Sequence, residues 1–334
     1  MEFDLPFIWA GLIAFAVLAY VLLDGFDLGI GLLFPFLKNR EERHLAMNTV
    51  APVWDGNETW LVMGGGGLFA VFPLAYAIVM PALYPPIIAM LLGLIFRGVA
   101  FEFTFRTRRR QWFWEFGFWG GSLIATIAQG MALGALVHGI TVEGRAYGGG
   151  NWDWLTPFSV LTAVALVAGY ALLGATWLIL KTEGGIQERA RQWSRPLGAA
   201  LVLLIGAVSL ATVFLHPQYM ERWFGWPTGI WSAVVPFLLA VAVWQLWLGL
   251  RNEDDLRPFL ATVAIFVLSY SGLGVSFYPN LVPPSLSIAE AAAPDVSLRF
   301  LLIGAVVLIP MILTYTAYSY WVFRGKVRPG EGYH

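Results

Sequence analysis

Two pairs of carboxylates lie in otherwise apolar stretches: Asp24 and Asp27 in "LLDGFDLGIGLL" at 22–33, and Asp55 and Glu58 in "APVWDGNETWLV" at 51–62. Members of each pair are three residues apart, so on a helix they share a face. An acid at the centre of a membrane-crossing helix costs about 2.5–3.5 kcal/mol on insertion scales, and such residues mark proton and ion routes. The chemistry they suit is proton transfer, because carboxyl groups kept from bulk water can hold protons and pass them on through bridging waters. Asn57, Thr59 and the backbone loosened by Gly25 and Gly56 could hold those waters. A structural alternative is that the acids pair with Arg97 or Arg106, or accept hydrogen bonds from Trp54 or Trp60. Asp55 could instead be satisfied by a helix N-terminus.

The elements that must position these groups are transmembrane helices. The chain has 334 residues, 58% apolar and 12% charged, with a formal net charge of −1, which places it in a bilayer and gives nucleic acid no charge to bind. It has no cysteine, which excludes disulfides and thiolate-bound iron–sulfur clusters. Apolar runs of about 20 residues between charged or turn-rich breaks predict nine helices. They fall near 6–36, 50–72, 76–101, 113–140, 155–180, 196–215, 229–250, 258–278 and 299–323, in a single integral membrane domain over 1–334. The acidic Glu2 and Asp4 and the lack of a small-residue cleavage pattern make the first segment a retained span. The expected fold is all-α and polytopic, dividing into two four-helix bundles and one peripheral helix.

Alternate loops carry the basic residues. One set holds Lys38, Arg40 and Arg43; Arg106, Arg108, Arg109 and Arg110; Lys181, Arg189, Arg191 and Arg195; Arg251 and Arg257; and Arg324, Lys326 and Arg328. The other holds only Arg145, Arg222 and Arg299, and Arg97 lies within a span. The positive-inside rule then puts the amino end outside and the carboxyl end in the cytoplasm. Measured from Phe36 and Val50 at about 1.5 Å per residue, Asp55 lies ~8 Å inward, Glu58 ~12 Å, Asp27 ~14 Å and Asp24 ~18 Å, a ladder of increasing depth. Tryptophans cluster near predicted helix ends, as interface anchors do, and the Gly25/Gly29 pair and "MGGGGLF" at 63–69 permit close helix packing.

Other residues read more plainly. Arg97 and Glu102 in "FRGVAFEF" fall near the inner boundary, where Arg97 would snorkel and pair. Gln129 in "ATIAQGMALG" is a lone amide suited to a helix–helix hydrogen bond, and Asn280 in "PNLVPPS" reads as an outer-loop cap. His44, His138, His216 and His334 all fall in loops, at helix ends or at the terminus, so this chain is poorly equipped to ligate a buried haem. "GGGG" at 64–67 lacks the lysine of a nucleotide-binding loop.

"LLDGFDLGIGLL", "APVWDGNETWLV" and the closing "PMILTYTAYSYWVFRGKV" at 310–327, together with nine spans of this spacing, resemble subunit II of the cytochrome bd-type quinol oxidases, with shorter outer loops suggestive of the cyanide-insensitive branch. The resemblance implies a heterodimer with a related nine-helix subunit I that carries haem b and haem d, or haem b only, and the quinol site, in the bacterial cytoplasmic membrane. Quinol would be oxidised and O₂ reduced to water there, with the water's protons drawn from the cytoplasm. It also implies a proton pathway through Asp24, Asp27 and Asp55; Glu58, at a position that varies among relatives, joins them from the residue pattern alone, as do Trp54, Asn57 and Arg97 as supporting residues. A structural quinone and a small single-helix subunit occur among such complexes. Two rival readings are a proton-coupled secondary transporter acting alone, with a midplane substrate pocket, and a structural membrane scaffold whose acids form buried pairs.

Overall fold

The computed structural model describes residues 4–107 and 110–328, leaving aside the side chain of Phe105. Glu2, Arg108, Arg109 and His334 therefore lie outside the described residues. The helices are α1 (Leu5–Leu33), α2 (Arg40–Asn48), α3 (Trp54–Val71), α4 (Pro73–Ala82), α5 (Tyr84–Arg106), α6 (Gln111–His138), α7 (Pro157–Lys181), α8 (Gly185–Leu215), α9 (Pro217–Phe224), α10 (Thr228–Ser232), α11 (Val234–Arg251), α12 (Arg257–Phe277), α13 (Ile288–Ala291) and α14 (Asp295–Val322). Two small antiparallel hairpins join them, β1 (Val142–Glu143) with β2 (Ala146–Tyr147) and β3 (Asn280–Val282) with β4 (Leu286–Ser287).

Eight of these helices are long and apolar enough to cross a membrane. They comprise α1, α5, α6, α7, α8, α12, α14 and the α10–α11 segment. The second predicted span is the 18-residue α3, whose polar first turns and run of glycines keep it outside that set. The third predicted span does not begin at 76. The helix breaks at Leu83 and restarts at Tyr84, because Pro85 and Pro86 cannot donate to a preceding turn but suit the first turn of a new helix. The sixth begins eleven residues earlier than predicted, at Gly185. Its added turns extend past the apolar layer, where Arg189 pairs with Glu42, and Arg191 pairs with Asp255 at 2.5 Å.

Local sequence fixes the ends. Asp4 caps α1 by accepting from the Phe7 amide at 3.1 Å, and Asn39 caps α2 by accepting from the Glu42 amide at 2.9 Å. Thr156 and Ser159 form a capping box on α7. Gly139, at φ +105°, ends α6 in a conformation that L side chains rarely adopt. Asn280 does cap its loop, donating to the Pro284 carbonyl at 2.9 Å.

At the centre α1 packs against α3, α6 and α7, while α5 packs on α6 and α11 pairs with α12. A side chain at Gly29 would place its Cβ 2.7 Å from the Gly174 amide nitrogen and still nearer the Tyr170 carbonyl, so the α1–α7 contact is made backbone to backbone. The "GGGG" run divides by face: Gly64 and Gly67 approach Val17 and Ile13 of α1, whereas Gly65 and Gly66 have open space. The basic helix ends are tied by Arg43–Glu115 at 2.6 Å and Lys326–Asp255 at 2.7 Å. The Lys181 ammonium also donates to the Phe323 and Gly325 carbonyls, holding the carboxyl-terminal segment at that end.

Candidate functional site

The close approach of α3 to α1 gathers the acids. Contacts of Asn57 with Leu23 and Asp27, of Gly64 with Val17 and of Gly67 with Ile13 show the two helices running antiparallel. Asp24 and Asp27 are both fully buried between them. The Asn57 amide donates to Asp27 Oδ2 at 2.8 Å and to the Leu23 carbonyl at 3.2 Å, and its own oxygen accepts from the Tyr320 hydroxyl of α14 at 2.9 Å. Asn57 therefore acts as a bracket joining three helices at the depth of Asp27.

Arg97 lies at the other side of the cluster. Its side chain is fully buried, so it does not snorkel to the boundary. Its backbone sits where α5 meets α6 through Gly93 and Gly121. From there the guanidinium reaches inward, 2.8 Å from Glu58 Oε1 and 3.9 Å from Asp24 Oδ1. The Trp54 ring at 6.0 Å and the Phe118 ring at 5.6 Å cover it. Trp54 thus supports the cluster through its ring face, while buried Trp60 Nε1 has no hydrogen-bond partner among the described residues. The expected alternative partner, Arg106, pairs instead with Glu102 at 3.3 Å on the surface.

The site brings together Asp24, Asp27, Glu58, Asn57, Trp54 and Arg97. It does not bring in Asp55, which lies on the exposed stripe of α3 with Thr59, Val62 and Phe69. The side chain of Glu58 remains 25% exposed, making it the member of the cluster nearest that surface. One guanidinium faces three carboxyl groups, so the cluster carries excess negative charge unless it holds protons. Both oxygens of Asp24, one of Asp27, and Nε and Nη2 of Arg97 are buried without a protein hydrogen-bond partner among the described residues. Buried polar atoms almost always have partners, and in a polar cavity water supplies them.

Three tyrosines escaped the reading of the sequence. Tyr20 lies one turn before Asp24 on the same face of α1, a spacing that could have flagged it. Tyr170 and Tyr320 arrive from α7 and α14 with no local signal. Gln129 does make helix–helix hydrogen bonds, donating to the Tyr20 hydroxyl and accepting from that of Tyr170, both at 2.8 Å.

Of the described histidines, His44 on α2 lies 3.1 Å from Gln111, and His216 bonds with the His138 carbonyl at the opposite end of the molecule. No cluster of three or more His, Cys, Asp or Glu with metal-binding geometry occurs among the described residues.

Comparison with known proteins agrees with the fold and the motifs. The chain is 30% identical to the cytochrome bd-I ubiquinol oxidase subunit 2 of Escherichia coli K12, over 97% of this chain and 95% of that protein. It is 28% identical to the cytochrome bd ubiquinol oxidase subunit 2 of Bacillus subtilis 168, over 97% of each. A chain in the structure of bd oxidase from Geobacillus thermodenitrificans shares the fold, with a TM-score of 0.78, 17% identity, and coverage of 96% of this chain and 99% of that one. Residues 5–323 match the family described as cytochrome bd terminal oxidase subunit II, and the chain belongs to that family.

Proposed function

We propose that this subunit of a terminal quinol oxidase delivers protons from the cytoplasm toward haems carried by subunit I, through the cluster of Asp24, Asp27 and Glu58, with Asp55 at its entrance. The observation that carries the reading is the concentration of unpartnered, buried acceptors and donors around a single guanidinium. Such a cluster suits a hydrated seam in which carboxyl groups exchange protons with bridging waters. Arg97 and Asn57 would hold the carboxyls in place, and Glu58, part exposed, would exchange protons with Asp55 on the surface of α3.

The antiparallel course of α3 along α1 supports a ninth crossing, with the amino end outside and the carboxyl end in the cytoplasm of a bacterial inner membrane. The exposed stripe of α3, with Asp55 on it, would face subunit I in a heterodimer, and haem b with haem d, or haem b alone, would reside there with the quinol site. Haem supplies the redox chemistry of such a complex; this chain's residues move and hold protons. The test is quinol-driven O₂ consumption by the purified complex. Asp27→Asn and Asp55→Asn are expected to slow turnover while the haem spectrum stays normal. Wild-type turnover in both variants would reject the path.

A further inference from the structure

The hydrogen bonds that reach Tyr20, one turn before Asp24 on α1, form a chain with a direction. Tyr170 of α7 has one hydroxyl proton and donates it to Gln129 Oε1 at 2.8 Å. The Gln129 amide then donates to the Tyr20 hydroxyl oxygen, also at 2.8 Å. A phenol that accepts in this way keeps its own proton to give elsewhere, and Tyr20 lies one turn before Asp24 on the same buried face of α1. Neither oxygen of Asp24 has a hydrogen-bond partner among the described residues. The opposite orientation of the Gln129 amide would draw the Tyr20 proton away and leave Asp24 facing a lone pair.

The packing is built to hold this chain. Tyr20 and Tyr170 are both buried. Gly25, the residue after Asp24, leaves room for the Tyr170 ring, which lies 2.8 Å from where a Cβ would stand. That ring also stacks on Phe266 with centroids 5.9 Å apart.

From this geometry we infer that Tyr170, Gln129 and Tyr20 are positioning residues for proton transfer at Asp24: the chain aims the Tyr20 O–H at the Asp24 carboxyl and so fixes which of its oxygens is open to the proton path. Successive donors polarise one another, so each link strengthens the next. The role rests on the proposed path through Asp24, and it gives α6 and α7 a part in that path although neither carries one of the acids.

The test uses the purified haem-containing complex and two readouts, the infrared band of the Asp24 carboxyl, identified by its loss in Asp24→Asn, and quinol-driven O₂ consumption. Tyr20→Phe is expected to shift the band and to lower turnover severalfold with haem content unchanged. Gln129→Met is expected to shift the band in the same direction, and to produce no further shift when added to Tyr20→Phe. A purely structural role would not give that dependence. An unmoved band in Tyr20→Phe overturns the inference, as does an equal and additive shift from Gln129→Met. A shifted band with wild-type turnover overturns it too, and Asp24→Asn then locates the failure. If that variant is slow, only the positioning role has failed; if it turns over normally, the path through Asp24 has failed with it.

Discussion

Replacing Arg97 by methionine removes the one cation of the buried cluster while keeping much of its volume. At an effective dielectric constant of about 20, Coulomb attraction is about 6 kcal/mol at the 2.8 Å separation from Glu58 and about 4 kcal/mol at the 3.9 Å separation from Asp24. Most of this offsets the cost of taking the guanidinium out of water, and the 25% exposure of the Glu58 side chain weakens its share. Breaking a buried pair typically leaves a loss of about 3–5 kcal/mol, because the surviving charge is uncompensated. The expected result for Arg97→Met is a loss of that size at pH 8, read from denaturant unfolding of the purified complex followed by haem absorbance. The loss should shrink in acid, where protons neutralise the stranded carboxylates, and Glu58→Gln should restore part of it, with a coupling of about 0.5–3 kcal/mol. A change under 1 kcal/mol at pH 8, or strict additivity of the two substitutions, would refute the assignment of Arg97 as the cluster's counter-charge. That threshold sits well below the loss expected for about one stranded buried charge.

Three other substitutions probe separate supports. Gly29→Ala forces a methyl into the α1–α7 backbone contact, where the Gly174 nitrogen would lie at 2.7 Å; overpacking of this kind costs about 1–3 kcal/mol or more, and a lower haem-loss temperature with slowed turnover is expected. Asn57→Leu removes the partners of Asp27 and Tyr320 together; each buried group left unpaired costs about 1–3 kcal/mol, and the same unfolding measurement should register a loss larger than that from Tyr320→Phe. His44, on α2 outside the spans, has its pKa held below the ordinary histidine value by burial, with Arg40 adding to the effect and Glu115 opposing it. The unfolded chain then takes up this proton first as pH falls, so the contribution to stability is present above about pH 6.5 and is lost below it; His44→Gln should flatten that part of a stability–pH curve.

Much of the fold was legible because membrane helices announce themselves by length and apolarity, and because basic residues sort by side. The errors lie where that signal mixes with another. Pro85 and Pro86 split an apolar run that reads as continuous, and the first turns of α8 are too charged to read as part of a span yet are helical through their ion pairs with the α2 and α11–α12 regions. At the site, spacing brought Asp24, Asp27 and Glu58 into view but could not say that Asp55, three residues from Glu58, points outward, since the sixth of a turn (about 60°) that separates the two on α3 matters only once the glycines of α3 seat against α1. Arg97 was legible as a partner for the acids, and it does pair with Glu58 and approach Asp24; its distance from the helix end suggested a boundary residue, and its full burial was not legible. Tyr170 and Tyr320 are contacts across long sequence separations, which a single sequence does not encode locally.

The most direct measurement is proton uptake from the cytoplasmic side during a single turnover of the complex reconstituted in lipid vesicles, followed with a pH-sensitive dye as O₂ is reduced. Uptake in Asp24→Asn and Asp27→Asn should be slowed together with the O₂-reducing step while haem content and the binding of O₂ are unchanged. Uptake at the wild-type rate in both variants would show that protons reach the haems by another way.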